Sequence, residues 1–172
     1  MSNTTFSSTM SRPVGRLTLV GQGNDLVGLY FDRDPLAAKM RADSRRDDGR
    51  LRPAIEQLEE YFAGARTRFD LSIVPPGTAF QKKVWAALVR IPFGTTATYG
   101  EIARAVGRPN ASRAVGGANH RNPIAIIIPC HRVIGADGSM TGYGGGLPRK
   151  RILLDLEART ASSGQLGLPG AL

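Results

Sequence analysis

IPFGTTATYGEIARAVGRPNASRAVGGANHRNPIAIIIPCHRVIG, residues 91–135, carries most of the information in this chain. Its YGEIARAV segment, residues 99–106, has helical apolar spacing, and Gly107, Arg108, Pro109 and Asn110 interrupt it. Asn110 is placed to cap a second short helix over 111–120. Two short helices joined by about four residues have the form of a helix-turn-helix. The second helix carries Ser112, Arg113, Ala114, Gly117, Ala118 and Asn119, mostly small residues. Such a surface suits close approach to a minor groove, with Arg113 as the one long cation that fills the gap left by a departing base. An ordinary helical hairpin, its small residues packed on a neighbour, is the alternative. Residues 124–128 (IAIII) form a continuous apolar run, read as buried strand or extended chain, and end at Pro129-Cys130-His131-Arg132-Val133.

Downstream, residues 135–147 are dominated by glycine and read as a loop. Residues 148–159 return to helix, with Ile152, Leu153 and Leu156 as the apolar stripe, and the tail from residue 161 has no pattern and is expected to be disordered. Upstream, residues 78–90 form a helix with Phe80, Val84, Trp85 and Leu88 on one face. Pro75, Pro76 and Gly77 mark a boundary. Before it, residues 14–21 and 25–32 read as two strands of a hairpin around Gln22, Gly23 and Asn24. Residues 33–50 are expected as an exposed loop with room for a short helix. Residues 52–63 form a helix through Ile55, Leu58, Tyr61 and Phe62, and 68–74 a third strand. The fold class is α+β. A small N-terminal sheet-and-helix domain (1–77, with 1–11 flexible) precedes a mostly helical C-terminal domain (78–160) and a tail (161–172).

Charge separates the halves. The chain of 172 residues has a net charge of +9, yet residues 1–80 hold 11 basic and 10 acidic side chains, whereas residues 81–160 hold 12 and 4. A concentrated positive field suits a polyanion such as nucleic acid, or a basic surface that only confers solubility. No apolar stretch is long enough to span a bilayer, and residues 1–11 lack the basic start and apolar run of a secretory signal, so a cytoplasmic, non-membrane protein is expected. With one cysteine and two histidines, no disulfide framework and no cysteine-rich zinc site can form, and neither metal nor cofactor is expected.

A lone cysteine after an apolar run is commonly an inert packing residue. Here polar His131 and Arg132 follow at once, then a glycine-rich loop, which places Cys130 where buried chain meets a flexible rim. In extended chain His131 would point away from Cys130, so a bridging water would carry the proton between them. A third group would orient the imidazole. Glu157, beside the buried stripe of the last helix, is the candidate; a solvated helix-end carboxylate is its commoner fate.

The motifs IPFGTTATYGEIA (91–103), RAVGGANHRNP (113–123), IIIPCHRVIG (126–135), TGYGGG (141–146) and LLDLE (153–157) closely resemble the O6-alkylguanine-DNA alkyltransferase family. The resemblance spans most of residues 80–158; residues 1–77 resemble the family's ribonuclease H-like domain only in element order. It implies that Cys130 accepts the alkyl group and that His131 and Glu157 form a relay, with Asn122 holding the network behind them. Tyr99 would face the flipped guanine and assist its departure. Arg113 would replace the extruded base, and Tyr143 would line the pocket wall. Val133 and Gly144 would offer backbone contacts to the base, Gly144 without the serine hydroxyl of some members. The implied activity is single-turnover repair of O6-alkylguanine, and of O4-alkylthymine as a lesser substrate, in flipped-out duplex DNA. The protein would act as a monomer without cofactor, with cooperativity on DNA left open.

Three other readings compete. A non-catalytic lesion sensor shares the DNA surface but lacks the acceptor cysteine. A cysteine hydrolase would need an oxyanion hole and has no use for the basic half. A plain DNA-binding module would be indifferent to Cys130→Ser.

Overall fold

The computed structural model describes residues 4–166. Three strands, β1 (Thr5–Arg12), β2 (Gly15–Gln22) and β3 (Asp25–Phe31), form an antiparallel meander, and the two-residue β4 (Arg45–Arg46) adds parallel to β1, in the order β3-β2-β1-β4. The β2–β3 hairpin forms as its turn chemistry requires: Gly23 takes a φ of 61° at the first turn position. β1 corrects the expectation of a flexible start for residues 5–11; its Ser and Thr side chains are largely buried or half-buried against neighbouring elements, and pairing with β2 along its full length orders it. Residues 1–3 lie outside the described range.

The charged segment 33–50 is more structured than a loop. Asp34 caps α1 (Pro35–Asp43), and Asp47 caps α2 (Asp48–Phe62), which therefore starts earlier than expected. Leu51, Ala54, Leu58 and Tyr61 recur on the buried face of α2, which carries the Tyr61 ring into the centre of the molecule. Residues 68–74 do not make a third strand. Only Ile73 bridges to Leu26, with backbone bonds from Leu26 N to Ser72 O and Val74 N to Leu26 O, both 2.9 Å, while Phe69 and Leu71 pack sideways on the core.

Past that segment, capping boxes start α3 (Ala79–Val89), at Thr78 and Gln81, and α4 (Tyr99–Ala105), at Thr98 and Glu101. α5 (Ser112–His120) follows, its N-cap position held by Ala111 with no side-chain bond, so Asn110 does not cap it. A short parallel pair, β5 (Ala97–Thr98) with β6 (Val133–Ile134), ties the start of α4 to the chain after Cys130. α6 (Leu147–Leu166) runs past the end expected near residue 159, which corrects the disordered tail for 161–166; residues 167–172 lie outside the described range.

One continuous core joins the halves, with Leu17, Leu29, Leu58 and Tyr61 packed in the same cluster as Trp85, Ile124, Ile128 and Leu153. The Trp85 indole N–H, buried between α3 and α5, donates to Ala118 O at 2.9 Å.

Candidate active site

Cys130 is presented by tight turns rather than by a strand. Ile126 has a φ of 71°, and Ile127 N bonds Ala125 O at 2.8 Å, the pattern of a strained γ-turn at a β-branched residue. Pro129, at φ −82° and ψ 63°, makes an inverse γ-turn in which Cys130 N bonds Ile128 O at 2.8 Å. Cys130, His131 and Arg132 then form one 3₁₀ turn. The run 124–128 is buried as expected, yet it is not a strand: Ile124 alone bridges to Leu29, at the edge of the sheet. Asn122 braces the loop from inside, its Nδ2 donating to Ile128 O at 2.8 Å and its Oδ1 accepting from Ile124 N at 3.0 Å.

The last helix supplies the partner. Lys150, Leu153 and Glu157 form a buried stripe at i, i+3 and i+7, charged at both ends. Glu157 Oε1 accepts from His131 Nε2 at 2.7 Å and from the Tyr61 hydroxyl at 2.8 Å. Arg132 grips the same carboxylate with both arms, Nε to Oε2 and Nη2 to Oε1, each 2.9 Å, while its Nη1 donates to Ile91 O at 2.7 Å. Gly94 N adds a fifth bond at 3.3 Å. Burial by itself would push the Glu157 carboxyl up, but His131 and Arg132 hold it at about 2.

These contacts assign the imidazole. An ionised carboxylate can only accept, so Nε2 carries the proton and Nδ1 is the acceptor nitrogen. Nδ1 is buried and, among the described residues, has no hydrogen-bond partner. Burial, with Arg132 and Lys150 adding to it, lowers the His131 pKa against the pull of Glu157, which keeps the ring neutral and able to take a proton. The Cys130 thiol is raised by burial; Asn122, Tyr143 and the Lys150 ammonium oppose that shift. At rest the sulfur is therefore a protonated thiol in a site built to stabilise its anion. The Tyr143 hydroxyl lies near the sulfur without closing a hydrogen bond of good geometry, and acts as a nearby dipole. Lys150 is itself fully buried, donating to Val133 O at 2.5 Å and Thr141 O at 3.1 Å.

Cys130 borders a pocket of about 290 Å³, lined also by Asn119, Asn122, Tyr143, Gly144 and, from the N-terminal half, Phe31 and Asp32. That volume is at the small end for ligand pockets and suits one ring system.

Two family models together cover nearly all of the chain: "6-O-methylguanine DNA methyltransferase, ribonuclease-like domain" over residues 6–75, and "6-O-methylguanine DNA methyltransferase, DNA binding domain" over 79–159. The chain belongs to the 6-O-methylguanine DNA methyltransferase family. It is 51% identical over 153 residues to the methylated-DNA–protein-cysteine methyltransferase of Mycobacterium bovis, covering 89% of this chain and 92% of that one. It is 52% identical over 145 residues to the protein of the same name from Methanosarcina barkeri, covering 84% and 92%. The crystal structure of Mycobacterium tuberculosis OGT in complex with DNA superposes with a TM-score of 0.84 at 50% identity, covering 90% of this chain and 94% of that one. Both halves of the fold are thus those of the methyltransferase family, as the sequence resemblance implies.

The residues singled out from sequence fall into two groups. Cys130, His131, Glu157, Asn122, Val133 and Tyr143 converge on the buried centre, with Gly144 at the pocket rim. Tyr99 stands at the start of α4, half-buried, and its hydroxyl accepts from Thr141 Oγ1 at 3.0 Å. On α5, Arg113, Ala114 and Gly117 are exposed and Ser112 half-buried, and among the described residues a Cβ at Gly117 would meet nothing within 4 Å beyond its own helix backbone and chain neighbours. Ala118 and Asn119 do not share that outer face. Both are buried, Ala118 under Trp85 and Asn119 with its Nδ2 3.4 Å from Cys130 O, because the inner stripe of an amphipathic helix falls there. Neither side chain therefore stands on the exposed face with Arg113 and Gly117, and Asn119 lines the pocket beside Cys130. No local pattern assigns a site role to Tyr61 or Lys150, and Arg132 stands out in the chain only as a polar neighbour of Cys130. The i, i+3, i+7 spacing of Lys150, Leu153 and Glu157 signals a shared face, but nothing local shows that Tyr61 meets Glu157, 96 residues away.

Among the described residues no helix is long and apolar enough to cross a membrane.

Proposed function

We propose that this protein repairs duplex DNA by moving an alkyl group from O6 of guanine to Cys130 Sγ, once per molecule. The observation that carries this reading is the relay behind the sulfur: neutral His131, fixed at Nε2 by Glu157, keeps acceptor Nδ1 unpartnered in the buried site. A bridging water passes the thiol proton to Nδ1. The thiolate attacks the alkyl carbon, the S–C bond forms, and the C–O6 bond breaks with its electrons left on the base. O6 becomes a carbonyl and the ring takes up a proton, with Tyr99 and the backbone N–H of Gly144 assisting. The thioether has no leaving group that the relay could restore, so turnover stops there.

The alkyl carbon is hard to reach in stacked DNA, so the base must leave the helix. The exposed small residues Ala114 and Gly117 let α5 press into the minor groove, and Arg113 enters the stack in place of the base. O4-alkylthymine is a lesser substrate, and the monomer is the acting unit. The similarity to a DNA-bound mycobacterial relative supports the DNA partner.

The test is intact-protein mass after mixing with duplex DNA carrying one O6-methylguanine. One added methyl, mapped to Cys130 and absent from Cys130→Ser, is expected. Tight lesion binding with no mass change would instead make the protein a sensor.

A further inference from the structure

One arginine of α6 ties the N-terminal half to the glycine loop at the pocket. Arg149, in the first turn of α6, directs its guanidinium to three separate segments. Nε donates to Val14 O at 2.7 Å, before β2; Nη1 donates to Gly145 O at 3.0 Å, in the glycine loop; and Nη2 pairs with the carboxylate of Asp32, just after β3. The same guanidinium lies 5.1 Å over the Phe31 ring, and Phe31 meets Tyr143 edge-on at 6.0 Å. A planar fork with fixed donors suits this task and an ammonium does not. The adjacent Lys150 holds the other end of the loop through Thr141 O. Residues 141–145, which include Tyr143 and Gly144, are thus fastened at both ends by consecutive side chains of α6. Contact with the hairpin is close enough that a Cβ at Gly145 would fall 2.7 Å from the Phe31 ring.

We infer that Arg149 and Asp32 are positioning residues for alkyl transfer, a clamp through which the N-terminal half sets the pocket wall carrying Tyr143 and Gly144. Neither needs to touch the reacting atoms. Asp32 fixes the guanidinium, the guanidinium fixes Gly145, and the loop then holds its wall at the distance that the Cys130 sulfur requires. The consequence for transfer rests on the repair reading above; the clamp itself does not.

Two measurements on full-length protein separate these levels, using Asp32→Asn, which keeps shape and removes charge, and Arg149→Lys, which keeps charge and removes the fork. Amide hydrogen exchange reads the clamp: faster exchange confined to residues 141–146 in both variants is expected, and unchanged exchange there overturns it. Single-turnover transfer from O6-methylguanine duplex, with DNA affinity measured alongside, reads the consequence. A ten- to hundredfold slower transfer at unchanged DNA affinity is expected, since displacements of about 1 Å cost that much. Loop loosening with an unaltered rate overturns the positioning role. Loss of rate that only follows a general fall in melting temperature overturns it too. A wild-type protein that transfers nothing defeats the repair reading and, with it, the role in transfer, while exchange still decides the clamp.

Discussion

His131 Nε2 lies 2.7 Å from Glu157 Oε1, and both side chains are sealed from solvent. The pair is asymmetric. Glu157 is held ionised at about 2 by His131 and Arg132, whereas burial keeps His131 neutral. The carboxylate therefore fixes the tautomer, and the imidazole keeps its capacity to accept a proton.

Glu157→Gln should slow methyl transfer about a hundredfold or more, the usual scale of a lost acid–base relay. Single-turnover rates on an O6-methylguanine duplex would show it, with lesion affinity preserved. A rate within a few-fold of wild type would remove the relay from the mechanism.

The Arg132 guanidinium is a permanent positive charge paired through two bonds with the buried Glu157 carboxylate. Arg132→Met should destabilise the fold by about 3–5 kcal/mol, because Glu157 is then left without its counter-charge. Tyr61→Phe deletes one bond to the same carboxylate and should cost about 1.5–3 kcal/mol. Urea denaturation with unchanged m-values would establish both; if Tyr61→Phe proved the more damaging, the assignment of the main counter-charge would be wrong.

Acid should weaken the fold in two ranges. The folded His131 pKa is depressed, so the unfolded chain binds the extra proton as pH falls past about 6.5. The Glu157 contribution is complete above its unfolded value near 4.5 and is lost as pH falls toward 2. Melting temperature should decline in both windows, and Glu157→Gln should flatten the lower one. By the same sign, transfer rate should hold near pH 6.5 and fall only in more acidic solution.

On α5, Gly117→Leu separates fold from DNA binding. The position is exposed and its Cβ has open space, so the fold should be unharmed or gain about 0.5–1 kcal/mol from helix propensity. Duplex affinity should fall because the helix can no longer press close. Equal affinity in a gel-shift titration would move the DNA surface elsewhere.

Arg113→Ala should slow repair of duplex DNA far more than reaction with free O6-methylguanine, which needs no extrusion. Equal loss on the two substrates would contradict a base-replacing arginine. Binding to undamaged duplex should also fall steeply with salt, through counterion release.

Local patterns were enough to define the α+β order, the β2–β3 hairpin, the helices α2 to α4, the basic C-terminal half and Cys130 in its polar setting. Hydrophobic period, glycine turns and capping residues act over a few positions and are written in the chain. The same local reading failed for residues 5–11, where Ser and Thr look like loose chain until β2 pairs with them, and for 68–74, where alternation suggested a strand that gains only one bridge. It also placed Ala118 and Asn119 on the outer face of α5, because which side of a short helix turns inward depends on where Trp85 and Cys130 stand.

By itself, then, the sequence determined the nucleophile, its histidine neighbour and the family to which they belong. Only the tertiary structure decided which further groups, beyond Glu157 and Asn122, hold them. Tyr61 comes from the N-terminal half, Arg132 turns back onto Glu157, and Asp32 reaches Arg149 across 117 residues. Such contacts arise from packing two halves on one core, and a burial that brings charges together leaves no periodic trace along the chain.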